Sequence, residues 1–148
     1  MAIVPRQKPD GATGAYALDD QIGFILRKVG QRHTAIFAAA FPDLTAPQWA
    51  TLAKLYESGP TSQNQLGRLV ALDAATIKGV VDRLGARGLT ETAPDPADAR
   101  RVVVALTEAG RVEAERGFPI AAAVTAETLA PLSAEERSQL VRLLRMLE

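Results

Sequence analysis

The sequence predicts a mainly α-helical protein with a small β-wing. A winged helix-turn-helix lobe is flanked by helices suited to dimerisation. Three observations predict it. Residues 61–84 hold two short apolar-striped helical patterns separated by a tight turn. Residues 89–106 read as strand, turn and strand, with two arginines beside the turn. Long helical patterns lie on both sides of this unit.

The lobe starts with a helix for which Thr61 is the expected N-cap, its hydroxyl accepting from an orphaned backbone N–H. Leu66, Leu69 and Val70 follow at helical spacing. Ala71 and Leu72 make the turn, and Asp73 caps a second helix. There Ile77, Val80, Val81 and Leu84 form one apolar stripe, while Ala75, Lys78, Gly79 and Asp82 face the other way, with Thr76 and Arg83 at the edge. Small residues let a helix backbone approach base edges, and the polar ones can bond bases or phosphates. Taken alone, this is also the pattern of an ordinary amphipathic helix with a solvated face. Gly88 ends the helix in the left-handed conformation. Residues 89–93 read as a strand. Pro94, Asp95, Pro96, Ala97 and Asp98 supply turn chemistry, residues 101–106 a β-branched strand, and Thr107 the cap of the next helix. Arg100 and Arg101 at the hairpin tip suit a narrow minor groove. Asp98, two residues before Arg100, is placed to hold that side chain in a bidentate pair.

These segments together, LTAPQWATL, TSQNQLGRLVALDAATIKGVVDRLGARGL and DPADARRVVVALTEAG, resemble the MarR family of bacterial transcription regulators over about residues 20–147. The chain departs from the family pattern in carrying Lys78 then Gly79 in mid-helix, and Asp98-Ala99-Arg100 where the wing often reads Asp-Arg-Arg. The resemblance implies a homodimer on a pseudo-palindromic DNA duplex. Its recognition helices would lie in successive major grooves about 34 Å apart. Ser62, Gln63, Ala75, Thr76, Lys78, Gly79, Arg83, Asp98, Arg100 and Arg101 would form the DNA-binding set. It also implies effector binding in the crevice between the dimer helices and the DNA-binding lobe. The run LRKVGQRHTAIF resembles the branch controlling degradation of aromatic carboxylic acids, nicotinate derivatives included.

Composition bounds the alternatives. One domain is expected over residues 16–148, with the DNA-binding lobe at about 45–107 and dimerisation helices at about 18–40 and 108–147. Charges balance at 17 against 17, so DNA affinity must be local. Between Thr76 and Arg87, three cations (Lys78, Arg83 and Arg87) stand against Asp82. There is no cysteine and one histidine, so neither a disulfide, a thiol switch nor a metal centre is expected, and no cofactor is called for. No metal cluster, phosphate loop or nucleophile–base pair points to an enzyme. No stretch is apolar enough to span a membrane and no secretory signal opens the chain, so a cytoplasmic location is expected. The rival reading is a winged helix used for protein contacts without DNA affinity.

Residues 1–15 lack periodicity and read as a flexible arm. Residues 18–40 form a long helix with Ile22, Ile25, Leu26, Val29, Ile36 and Phe37 on its apolar face. His33 falls on that face and Arg32 on its border. His33 reads either as a core histidine bonded to a backbone carbonyl or, with Arg32, as the anchor of an aromatic carboxylate. After a break at Pro42, Thr45 and Gln48 make a capping box. Trp49 on that helix is either core packing or the wall of an effector pocket, so Arg32, His33 and Trp49 are the effector candidates. Residues 108–129 are helical, with a kink expected at Gly117-Phe118-Pro119. A second capping box at Ser133 and Glu136 opens a last helix striped by Leu140, Leu143, Leu144 and Leu147. The surplus apolar surface of the terminal helices is expected to pair with a second copy.

Overall fold

The computed structural model describes residues 14–148, so most of the arm expected over residues 1–15 lies outside the described residues. A short 3-10 turn, Leu18–Asp20, leads into α1 (Ile22–Ala40). There follow α2 (Ala46–Ser58), β1 (Thr61–Ser62), α3 (Gln63–Leu69), α4 (Ala74–Ala86), β2 (Thr90–Pro94), β3 (Val102–Leu106), α5 (Glu108–Thr128) and α6 (Ala134–Arg145). The fold is mainly helical, with one small antiparallel sheet in the order β1-β3-β2.

Local chemistry sets most boundaries. Thr45 and Gln48 close the capping box of α2, Asp73 accepts from the Thr76 N–H at the start of α4, and Ser133 and Glu136 box the start of α6. Gly88 follows α4 at φ 70°, a backbone state that costs glycine little. The expected cap of α3 is corrected by one residue. Ser62 accepts from the Gln65 N–H, whereas the Thr61 hydroxyl turns back to donate to the Gly59 carbonyl. The reason lies in the sheet: Thr61 and Ser62 pair with Val104 and Val103 as an edge strand. The wing strands also begin one residue later than expected, because the register that pairs Thr90 with Leu106 also pairs Pro94 with Val102.

Two apolar clusters hold the molecule together. The first joins Phe37 and Phe41 at the end of α1 to Leu52 of α2, Val80 and Leu84 of α4, and Val124 of α5. The second packs Leu55, Leu66, Ile77, Val81 and Val104 beneath the helix-turn-helix and wing. The stripe that spacing predicted on α4 is buried and is divided between the two clusters. Leu69, expected to face inward, is largely exposed near the end of α3. α5 continues through Pro119, and Gly117 has a packing role. The Trp49 ring lies on its backbone, where a Cβ would overlap the indole. Trp49 also stacks on Phe41 at 5.1 Å and meets the edge of Phe118 at 5.5 Å.

The apolar stripes of the terminal helices are open. On α1, Ile22 is 62% exposed and Val29 50%. On α6 no residue is buried; Leu143 is 50% exposed, and Leu147, just past its end, 72%. Among the described residues no helix is long and apolar enough to cross a membrane.

Candidate nucleic-acid interface

α4 presents the face that the sequence predicted. Ala75, Thr76, Lys78, Asp82 and Arg83 are exposed, and Gly79 is half-buried among them. Lys78 is paired with Asp82 one turn on, at 2.8 Å, on the solvent side. Arg83 folds back along the helix: its guanidinium would lie 3.4 Å from a Cβ at Gly79. It enters no ion pair or hydrogen bond among the described residues. Arg87 donates to the Asp43 carbonyl at 2.6 Å, which ties the end of α4 to the α1–α2 loop.

The wing is organised by Asp98. Its carboxylate accepts from the Arg100 backbone N–H at 3.1 Å and from Nε and Nη2 of the Arg100 guanidinium at 3.1 and 3.5 Å. Arg101 Nε lies 3.8 Å away on the other oxygen. Hydrogen bonding from Arg100, with a further contribution from the charge of Arg101, holds the Asp98 carboxyl below its ordinary value of 3.8. Because the folded value is lowered, this support is complete above that ordinary value. It is lost as pH falls through the depressed one. Asp73 is lowered in the same way, first by the backbone N–H of Thr76. The tip turn is closed by the Asp95 N–H donating to the Arg101 carbonyl at 2.9 Å.

The sheet brings these parts together. Pairing of β1 with β3 sets the start of α3 beside the root of the wing. The result is a polar hollow of about 290 Å³ lined by Ser62, Gln63, Asn64, Arg68, Arg100, Arg101 and Val102. Three guanidinium groups around hydroxyl and amide donors form an anion-seeking surface of the kind that tracks a phosphate backbone. Arg68 was not anticipated. It is held by Gln65 Oε1 at 2.7 Å on the exposed side of α3. Only the β1–β3 pairing, invisible to helical periodicity, carries it to the wing.

A second concavity lies behind α4. The end of α1, the α1–α2 loop, the start of α2 and the end of α4 enclose an open groove of about 1140 Å³. Its walls are mostly apolar, among them Phe37, Phe41, Leu44 and Pro47, and its polar positions include His33, Asp43, Gln48, Arg83 and Arg87. Of the three effector candidates only His33 lines it. Arg32 caps the C-terminus of α5, donating to the Thr128 and Glu127 carbonyls at 2.7 and 3.1 Å. Trp49 stands one ring behind the wall, its face on Phe41. Among the described residues no cluster of three or more His, Cys, Asp or Glu could hold a metal.

The MarR family pattern matches residues 44–102. Over 132 residues the chain is 44% identical to the HTH-type transcriptional repressor NicR of Pseudomonas putida, spanning 88% of this chain and 84% of that one. A probable transcriptional regulator from Pseudomonas aeruginosa shares 53% identity and superposes with a TM-score of 0.86, covering 89% of this chain and 100% of that one. BpsR of Bordetella bronchiseptica, whose DNA binding is regulated by 6-hydroxynicotinic acid, is 40% identical with a TM-score of 0.88, over 90% and 97% of the two chains. On its sequence, its fold and the wing-and-helix geometry described above, the chain belongs to the MarR family of transcriptional regulators.

Proposed function

We propose that the protein is a cytoplasmic repressor that binds a pseudo-palindromic operator as a homodimer and leaves it when a small aromatic carboxylate, a hydroxylated nicotinate, binds. The observation that carries the DNA-binding half is the hollow in which Arg68, Arg100 and Arg101 converge on Ser62 and Gln63. In this reading these residues grip phosphates and the flanking minor groove. Ala75, Thr76, Lys78, Gly79 and Arg83 of α4 face the major groove, and Asp98 orients the wing arginines. The open stripes of α1 and α6 supply the interface that pairs two such lobes at one helical turn of DNA. The likeness to NicR and BpsR supports the effector half, and the mostly apolar groove beside His33 suits a flat aromatic acid.

Fluorescence anisotropy on the DNA upstream of its own gene tests this reading. Six arginines from two subunits, at about 0.9 each, predict a slope of log K against log salt of about −5. Sedimentation should show a dimer at the same concentrations, and 6-hydroxynicotinate should release the complex. A protein-contact winged helix would give no salt-dependent DNA binding and no effect of Lys78→Ala or Arg100→Ala.

A further inference from the structure

The contact between His33 and α5 determines more than packing. His33 Nδ1 lies 2.8 Å from the Thr128 hydroxyl, and that hydroxyl donates to the Val124 carbonyl at 2.9 Å. A hydroxyl carries one proton. Both contacts are satisfied together only when Nδ1 carries a proton and donates it to Thr128. The C-terminal end of α5, with its partial negative charge, reinforces this orientation. In the neutral imidazole Nε2 is then a bare acceptor, without a partner among the described residues, on a side chain that lines the groove.

The cations around the groove are not equivalent. Arg32 is occupied on the α5 carbonyls, and Arg87 on the carbonyl of Asp43. Arg83 alone lines the groove without a hydrogen bond or ion pair among the described residues. Asp43 is the acid on the wall, and it disfavours a carboxylate near the loop.

We propose that the groove binds an aromatic carboxylate in one polarity. A ring N–H or O–H is donated to His33 Nε2, the carboxylate pairs with Arg83, and Thr128 is the positioning residue that sets the histidine tautomer. This rests on the effector reading above and adds the specificity of the site. The pyridone form of 6-hydroxynicotinate offers a ring N–H to Nε2. Nicotinate offers a lone pair, and two acceptors repel. Arg83 stands on α4, so a carboxylate that takes it also subtracts a cation from the face turned to DNA.

Calorimetry on the DNA-free protein tests the assignment. Wild type should prefer 6-hydroxynicotinate over nicotinate by about tenfold, the ratio expected from one hydrogen bond gained and one repulsion avoided. Thr128→Val should reduce that ratio to about one, while nicotinate affinity holds within about twofold and Thr128→Ser keeps the preference. Arg83→Gln should weaken both ligands by about tenfold and leave their ratio intact. If Thr128→Val does not fold, His33→Phe, which removes the acceptor, must lose the same preference. A preference that survives Thr128→Val or His33→Phe, or an Arg83→Gln variant that binds like wild type, overturns the proposal. Equal binding of both acids by wild type overturns the polarity and leaves the effector reading standing. Binding of neither acid removes the effector reading itself.

Discussion

At the scale of single residues, the caps were the most legible features. Thr45, Asp73, Thr107 and Ser133 all sit where a short polar side chain precedes a helical stripe, and each accepts the N–H three residues on. Thr61 misled because its neighbour Ser62 is an equally good cap, and the choice between them was made by β3, some forty positions away. Arg32 misled for a related reason. A cation beside an apolar face looks available for a ligand until α5 brings two free carbonyls to it. Ala71 shows a cost that composition conceals. It holds φ 57° in the turn between α3 and α4, as the only non-glycine with positive φ among the described residues. That state costs an L-residue about 1–2 kcal/mol. A glycine relieves it at an entropic cost of about 0.5–1 kcal/mol. Ala71→Gly should therefore stabilise the protein by about 0.5–1 kcal/mol and raise Tm by a few degrees. A melt in which the variant unfolds at or below the wild-type temperature would remove the claim of strain.

At the scale of elements, periodicity found the α-helices of the described residues, because each carries an apolar stripe, and turn signals beside them marked both wing strands. It did not find β1, whose two residues are too few to show an alternation and which exists only because β3 offers a free edge. It read Gly117 only as part of a kink with Pro119 and did not anticipate its packing. Its missing side chain makes room for an indole from α2. One hydroxyl reinforces the join between the winged unit and α5, beside the Thr107 N–H that donates to the Leu89 carbonyl at 3.1 Å. Thr107 accepts from the Gly110 N–H at 3.1 Å and donates to the Gly88 carbonyl at 2.6 Å, so it both starts α5 and fastens it to the turn after α4. Thr107→Ala removes a cap and a second hydrogen bond, each contributing about 1 kcal/mol, and should cost about 2 kcal/mol. Urea unfolding is the measurement: the midpoint should fall with the slope unchanged. A loss under half that size would mean that water or a neighbouring group replaces the hydroxyl.

At the scale of the whole molecule, the exposed polar faces of α4 and the wing were largely readable because each is continuous in sequence. The polar hollow and the groove were not, since each is assembled from elements that meet only after folding. The groove takes His33 from α1, Pro47 from α2 and Arg83 from α4, and no local pattern places those three together. The open stripes on α1 and α6 were readable as greasy helices. What they face is a matter for the proposed second copy. The stack of Trp49 on Phe41 has a practical consequence. Phe41 is a wall of the groove, and Trp49 is the chain's one tryptophan. The molecule thus carries its own lamp one ring away from the pocket. Near-ultraviolet emission should dim or change colour as an aromatic acid is titrated in, with the same midpoint that calorimetry gives. An unchanged glow at saturation would place the guest away from Phe41.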